Sequence, residues 1–181
     1  MSRLIEYLAD RIAVKIKEAS PEETASTEVM KYALIGLLHN GIIVGTALAA
    51  GLILGKFFDI LWICLSFMLL RLISGGYHFK SALACFVFST VIFIGIPFIP
   101  VSDGLLPYLN SVSLVLCAVF APSNIREHIR VPDKYFIWFK IGSVLVVALN
   151  FTIDNPLITL SFLAQSMTLI HFRREEVNKY D

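Results

Sequence analysis

Residues 71–89 read RLISGGYHFKSALACFVFS, and within them His78 precedes Cys85 by seven positions. A thiol becomes a strong nucleophile only as thiolate, and an unassisted cysteine has a pKa near 8.5. A histidine within hydrogen-bond reach takes that proton and can later hand one to a leaving amine. The pair therefore has the residue types of a thiol peptidase, and its spacing sets a condition. Seven residues of straight helix rise about 10.5 Å, which is difficult to bridge with a hydrogen bond of about 3 Å. Gly75 and Gly76 offer a way round, because glycine accepts the backbone of a sharp or left-handed bend. A turn there would set His78 on a loop folded over the start of the next helix. Ser81 would cap that helix, which carries Cys85.

Other groups nearby have two readings each. Arg71 and Lys80 could bind carboxylates, arginine in bidentate fashion, or simply anchor span ends at the interface. Backbone N–H groups around Ser81–Cys85 or at the glycine bend could form an oxyanion hole. Ser81, Asn124 and Asp133 are candidates for a third catalytic group by proximity alone. His39, beside Asn40, reads as a helix–helix hydrogen bond, while His128 in a basic loop and His171 at a span end read as solvated surface. Cys64 and Cys117 read as small buried hydrophobes. The three cysteines form no CxxC and no metal-ligand spacing, so neither a disulfide framework, a metal nor a cofactor is called for.

The elements that must position these residues follow from composition. The chain is 57% hydrophobic and 16% charged, against about 45–50% and about 25% in soluble domains. It reads as an all-α integral membrane protein. The formal net charge of +1 and the lack of a basic aromatic stripe give no reason to expect nucleic acid as a partner. Apolar runs of spanning length lie near Tyr32–Leu54, Phe57–Leu72, Ser81–Ile99, Leu105–Ala121, Phe136–Ile153 and Pro156–Phe172. Fourteen of the fifteen basic residues fall on one side of such a six-span arrangement, Lys56 alone on the other. The positive-inside rule then puts both termini and the 71–89 stretch at the cytoplasmic face.

No cleavable secretory signal is visible in the first twenty residues. Leu4, Leu8, Ile12 and Ile16, with Ile5 and Ala9 beside them, make one stripe of an amphipathic helix. It could lie on the bilayer surface or dock on the protein's own bundle. The run SPEE predicts a helix start with Ser20 as N-cap, Pro21 at N1 and Glu23 at N3. A single domain results: an amphipathic helix over 1–20, a six-span bundle over 21–172 and a cytoplasmic tail over 173–181. Gly41/Gly45 and Gly51/Gly55 have G-x-x-x-G spacing, which suits a homodimer or ordinary intramolecular packing.

The pattern Arg71-x-x-Ser74-Gly75-Gly76-x-His78-x-x-Ser81-x-x-x-Cys85 between spans resembles the AgrB family of accessory gene regulator proteins. Length, the amphipathic N-terminus, six spans and Ala121-Pro122 in FAPSNIREHI agree with it, although Ile125-Arg126-Glu127-His128 replaces the family's usual Asn-Lys-Pro-like run. The resemblance implies a cysteine endopeptidase of the bacterial cell membrane that acts in quorum sensing. It implies Cys85 as nucleophile and His78 as general base, with Arg71, Gly75, Gly76 and Ser81 in support. The implied substrate is an AgrD-type precursor peptide with an acidic C-terminal tail, released as a thiolactone or lactone. The competing reading is a non-enzymatic membrane protein that binds or translocates a small peptide along the SGGYH bend.

Overall fold

A bilayer offers no water to backbone N–H and C=O groups, so each apolar run must satisfy them within a helix. In the computed structural model, which describes residues 2–77, 81–123, 132 and 135–177, they do. The helices are α1 Ser2–Ala19, α2 Thr27–Ile53, α3 Phe57–Ser74, α4 Ala82–Gly95, α5 Leu106–Phe120, α6 Phe136–Ile153 and α7 Pro156–Val177. Short 3-10 turns, Ile96–Phe98 and Asp103–Leu105, follow α4 and precede α5. No strand occurs among the described residues.

Among the described residues four segments are long and apolar enough to cross a membrane: Thr27–Ile53, Phe57–Ser74, Asp103–Phe120 and Phe136–Ile153. Ala82–Phe98 and Pro156–Ile170 are apolar but shorter. Large apolar side chains such as Ile53, Phe58, Leu72 and Trp138 stand exposed on the outer faces, as lipid solvation allows and water does not. This is a multi-pass membrane protein. The second run, Phe57–Leu72, extends to Ser74, and α7 continues past Phe172 to Val177.

At the N-terminus one expectation is narrowed and one corrected. Of the expected stripe Ile5 and Ala9 are buried, together with Ala13, while Leu4, Leu8, Ile12 and Ile16 stand exposed. Alanines at the contact let α1 approach α2 closely, and Lys31 Nζ bonds Asp10 Oδ1 at 2.7 Å. The start of α2 also differs, since Ser26, not Ser20, is its N-cap, with Ser26 Oγ accepting from Val29 N at 3.4 Å. Ser20 instead ends the turn of α1, its N–H bonding Ile16 O at 3.1 Å. Lys17 Nζ donates to Pro21 O and Thr24 O, which curls the SPEE run into the reversal between the two helices.

Two apolar clusters form the core. One joins α2, α3 and α4 through Ile43, Ala47, Ile60, Cys64, Phe67 and Phe93, with Phe67 and Phe93 edge to face at 5.2 Å. The other joins α3, α5, α6 and α7 through Leu70, Cys117, Val147, Phe162 and Leu169. Helix α7 carries a buried polar row as well: Thr159, Ser161, Gln165 and Ser166. At one end Asn150 Nδ2 bonds Thr159 Oγ1 (2.7 Å) and Asn110 Oδ1 (3.3 Å), tying α5, α6 and α7. At midway Ser66 Oγ and Ser161 Oγ are 2.9 Å apart. At the other end lies the glycine bend.

Gly51 is needed for packing, since an added Cβ would stand 3.1 Å from Ile60 Cδ1 and 3.2 Å from Phe57 Cα. Gly55 lies beyond the helix at φ +66°, so the Gly51/Gly55 spacing serves the α2–α3 reversal. Nothing packs within 4 Å of an added Cβ at Gly41 or Gly45. Among the described residues neither ring nitrogen of His39, both enclosed, has a hydrogen-bond partner.

Candidate functional site

Helix α3 ends at Ser74 because the next two residues leave helical space. Gly75 has φ +71° and Gly76 φ +131°, conformations that L side chains rarely adopt. Gly76 is constrained twice, for an added Cβ would lie 2.6 Å from Thr168 Oγ1 and 3.2 Å from Gln165 Nε2. The helix that carries Cys85 begins at Ala82, and Ser81 before it is extended. Ser81 is the N-cap of α4, its Oγ accepting from Ala84 N at 3.4 Å.

The bend is held from both sides. On one side Gly76 N donates to Ser123 O (3.1 Å) and Ser123 N to Ser74 O (2.9 Å), a single parallel bridge across Gly75. On the other side Tyr77 N donates to Thr168 O at 3.2 Å. Gln165 Nε2 donates to Gly75 O at 2.6 Å and to Ser74 Oγ at 3.3 Å. Arg71 Nη1 donates to Gln165 Oε1 at 3.2 Å, and Nη2 to Tyr77 O at 2.8 Å. The guanidinium also lies over the Phe67 ring, 6.0 Å from its centroid. Arginine's rigid fork suits such a clamp, in which one side chain ties α3, α7 and the chain leaving the bend.

A cavity of about 440 Å³ opens between α3, α4 and α7 beside this clamp. Cys85, Arg71, Tyr77, Ser89 and Thr168 line it together with Phe67, Phe88, Ile92, Ala164 and Met167. Of the three thiols, Cys64 and Cys117 are buried in the core and only Cys85 is partly exposed. Cys117 Sγ is further engaged with Ser166 Oγ at 3.4 Å. The structure thus brings Arg71, Gly75, Gly76, Ser81 and Cys85 to one region. His78 and Lys80 lie outside the described residues, as do Asn124, Asp133, His128 and the 125–128 run.

Gln165, Thr168 and Ser123 escaped the reading of the sequence. Their partners are about ninety residues away for Gln165 and about fifty for Ser123, so no local pattern flags them. A glutamine in an apolar run was the one available signal, since a polar amide at that depth needs partners. The Ala121-Pro122 segment acquires a role too, as it delivers Ser123 to the bend.

The family model for accessory gene regulator B matches residues 6–169. An AgrB-like protein of Halalkalibacterium halodurans is 31% identical over 101 residues, 56% of this chain and 51% of that protein. The matched part thus spans about half the length of this curated relative. No solved structure matches.

Proposed function

Because the chain belongs to the accessory gene regulator B family, we propose that it is a membrane-embedded cysteine endopeptidase maturing an AgrD-type quorum-sensing propeptide. The observation that carries this is the placement of the thiols. Cys85 alone is not buried, and it lines the cavity reached by Tyr77, the residue before His78. His78 takes the Cys85 proton, and the sulfur attacks the carbonyl carbon of the bond preceding the acidic tail. The tetrahedral adduct collapses as His78 returns the proton to the leaving amine, which departs with the tail. The remaining peptide is then a thioester on Cys85. A thiol or hydroxyl of the same peptide attacks that thioester, closes the ring and releases Cys85 as the thiol.

Thioester exchange of this kind changes little in energy, so the competing hydrolysis must be suppressed. The apolar depth of the cavity beside Cys85 serves that end by excluding water from the acyl group. Arg71 holds the bend with two of its N–H groups, and its charge lies within electrostatic range of Cys85. A carboxylate of the tail would be bound by its remaining N–H groups and by Lys80. The same proposal includes six crossings, both termini and the site at the cytoplasmic face, and self-association through the uncovered Gly41/Gly45 face. Charge distribution supports the orientation.

The test is processing of a co-expressed precursor by variants that still accumulate in the membrane. Cys85→Ser and His78→Ala should abolish cleavage, while Cys64→Ser and Cys117→Ser should retain it. Cleavage that persists in Cys85→Ser rules out the thiol mechanism.

A further inference from the structure

We propose that the cavity below Cys85 is an acyl-side specificity pocket, which takes a large apolar side chain from the residue immediately before the scissile bond. This rests on the peptidase reading and adds to it the side chain that the site selects. Helix register gives the cavity a direction. Arg71 and Thr168 lie four residues nearer the cytoplasmic ends of α3 and α7 than Phe67 and Ala164, which also line it. On α4, Cys85 lies in the first turn and Ile92 seven residues further on, about 10 Å deeper at about 1.5 Å per residue. The mouth is therefore polar, with the nucleophile there and Ser89 one turn further in, and the depth beyond Ser89, at Phe67, Ile92 and Ala164, is apolar.

That gradient sorts the two halves of a substrate. An acidic tail cannot enter the depth, where a carboxylate would be stripped of water without a partner. The acyl half can, and after the tail departs it stays bonded to Cys85. About 440 Å³ falls within the range of about 300–1,000 Å³ usual for ligand sites. It has room for an aromatic or branched aliphatic side chain and the backbone that carries it. Burying that side chain also holds the thioester against the dry wall during ring closure.

The test uses N-acetylated Phe, Leu, Ala and Asp chloromethyl ketones as probes, which alkylate an active thiol and present one acyl-side side chain. Full-length protein in lipid vesicles is treated and the Cys85 adduct followed by mass spectrometry, each rate divided by the reagent's rate with glutathione. Phe and Leu reagents should react about 10–100-fold faster than Ala, and Asp slowest, as expected for discrimination in an apolar pocket. Ala164→Phe, which fills the deep end, should invert the order of Phe and Ala. Ile92→Ala, which widens it, should raise the advantage of Phe. Rates independent of the side chain in all three proteins, with Cys85 still labelled faster than Cys64 and Cys117, overturn the pocket and leave the peptidase reading standing. Cys85 labelled no faster than the two buried thiols overturns that reading and the pocket with it.

Discussion

Gly76 is the residue where geometry leaves least freedom. Its φ of +131° and the 2.6 Å between an added Cβ and Thr168 Oγ1 make two separate penalties for any side chain. Gly76→Ala should lower precursor processing by about 10–100-fold, from strain of about 1–3 kcal/mol at the position that leads into Tyr77. Adding Thr168→Ala should recover only part of the loss, because the clash is relieved and the dihedral strain is not. Full recovery would show that space alone mattered. Gln165→Leu tests the clamp from the other side. It leaves Gly75 O and Arg71 without a partner they now have, at about 1–3 kcal/mol. We expect the turnover rate to fall with little change in precursor KM, whereas a pure loss of folded protein would lower the amount of enzyme and not the rate per folded molecule. The glycines were legible in the sequence because the spacing of His78 and Cys85 demands a bend. Gln165 and Ser123 were not, because what they contact is set by the packing of α5 and α7 against α3.

The helices themselves were legible almost to their ends, since apolar runs of spanning length have no alternative in a bilayer. Errors fell where polar residues could serve two purposes. SPEE has the composition of a helix start, yet Lys17 engages the Pro21 carbonyl and the start moves to Ser26. In α1 the stripe suited either the bilayer surface or the bundle, and it divides: alanines permit closer helix contact than leucines, so Ala9 and Ala13 pack inward while Leu4 and Leu8 stay exposed. Ala9→Leu should accordingly weaken the α1–α2 contact by about 1–3 kcal/mol through overpacking. Limited proteolysis of the N-terminal segment in vesicles should detect it as faster cleavage than in the unchanged protein. The Asn110–Asn150–Thr159 cluster is the corresponding tie at the end away from the bend. Asn110→Leu and Asn150→Leu should each destabilise the bundle in detergent titration by about 0.6–2 kcal/mol. The double variant should cost less than the sum, because neither amide is then left unpaired.

For the whole molecule, orientation decides whether the site can meet a cytoplasmic precursor. The proposed orientation, argued from charge, puts the start of α2, the bend and the end of α7 on the cytoplasmic side. In a Cys64→Ser, Cys117→Ser background, a cysteine at Glu22 should be labelled only from the cytoplasmic side. One at Ser102, between α4 and α5, should be labelled only from the opposite side. The reverse pattern would separate Cys85 from its substrate. Chemistry at Cys85 is the central claim, and capture of the acyl-enzyme tests it most directly. Vesicles containing the protein are mixed with precursor, quenched in acid and analysed by mass. The account predicts a precursor-minus-tail adduct on Cys85 that neutral hydroxylamine releases and that Cys85→Ser lacks. Complete tail removal with no hydroxylamine-sensitive adduct at any time of quenching, undiminished in Cys85→Ser, would contradict it.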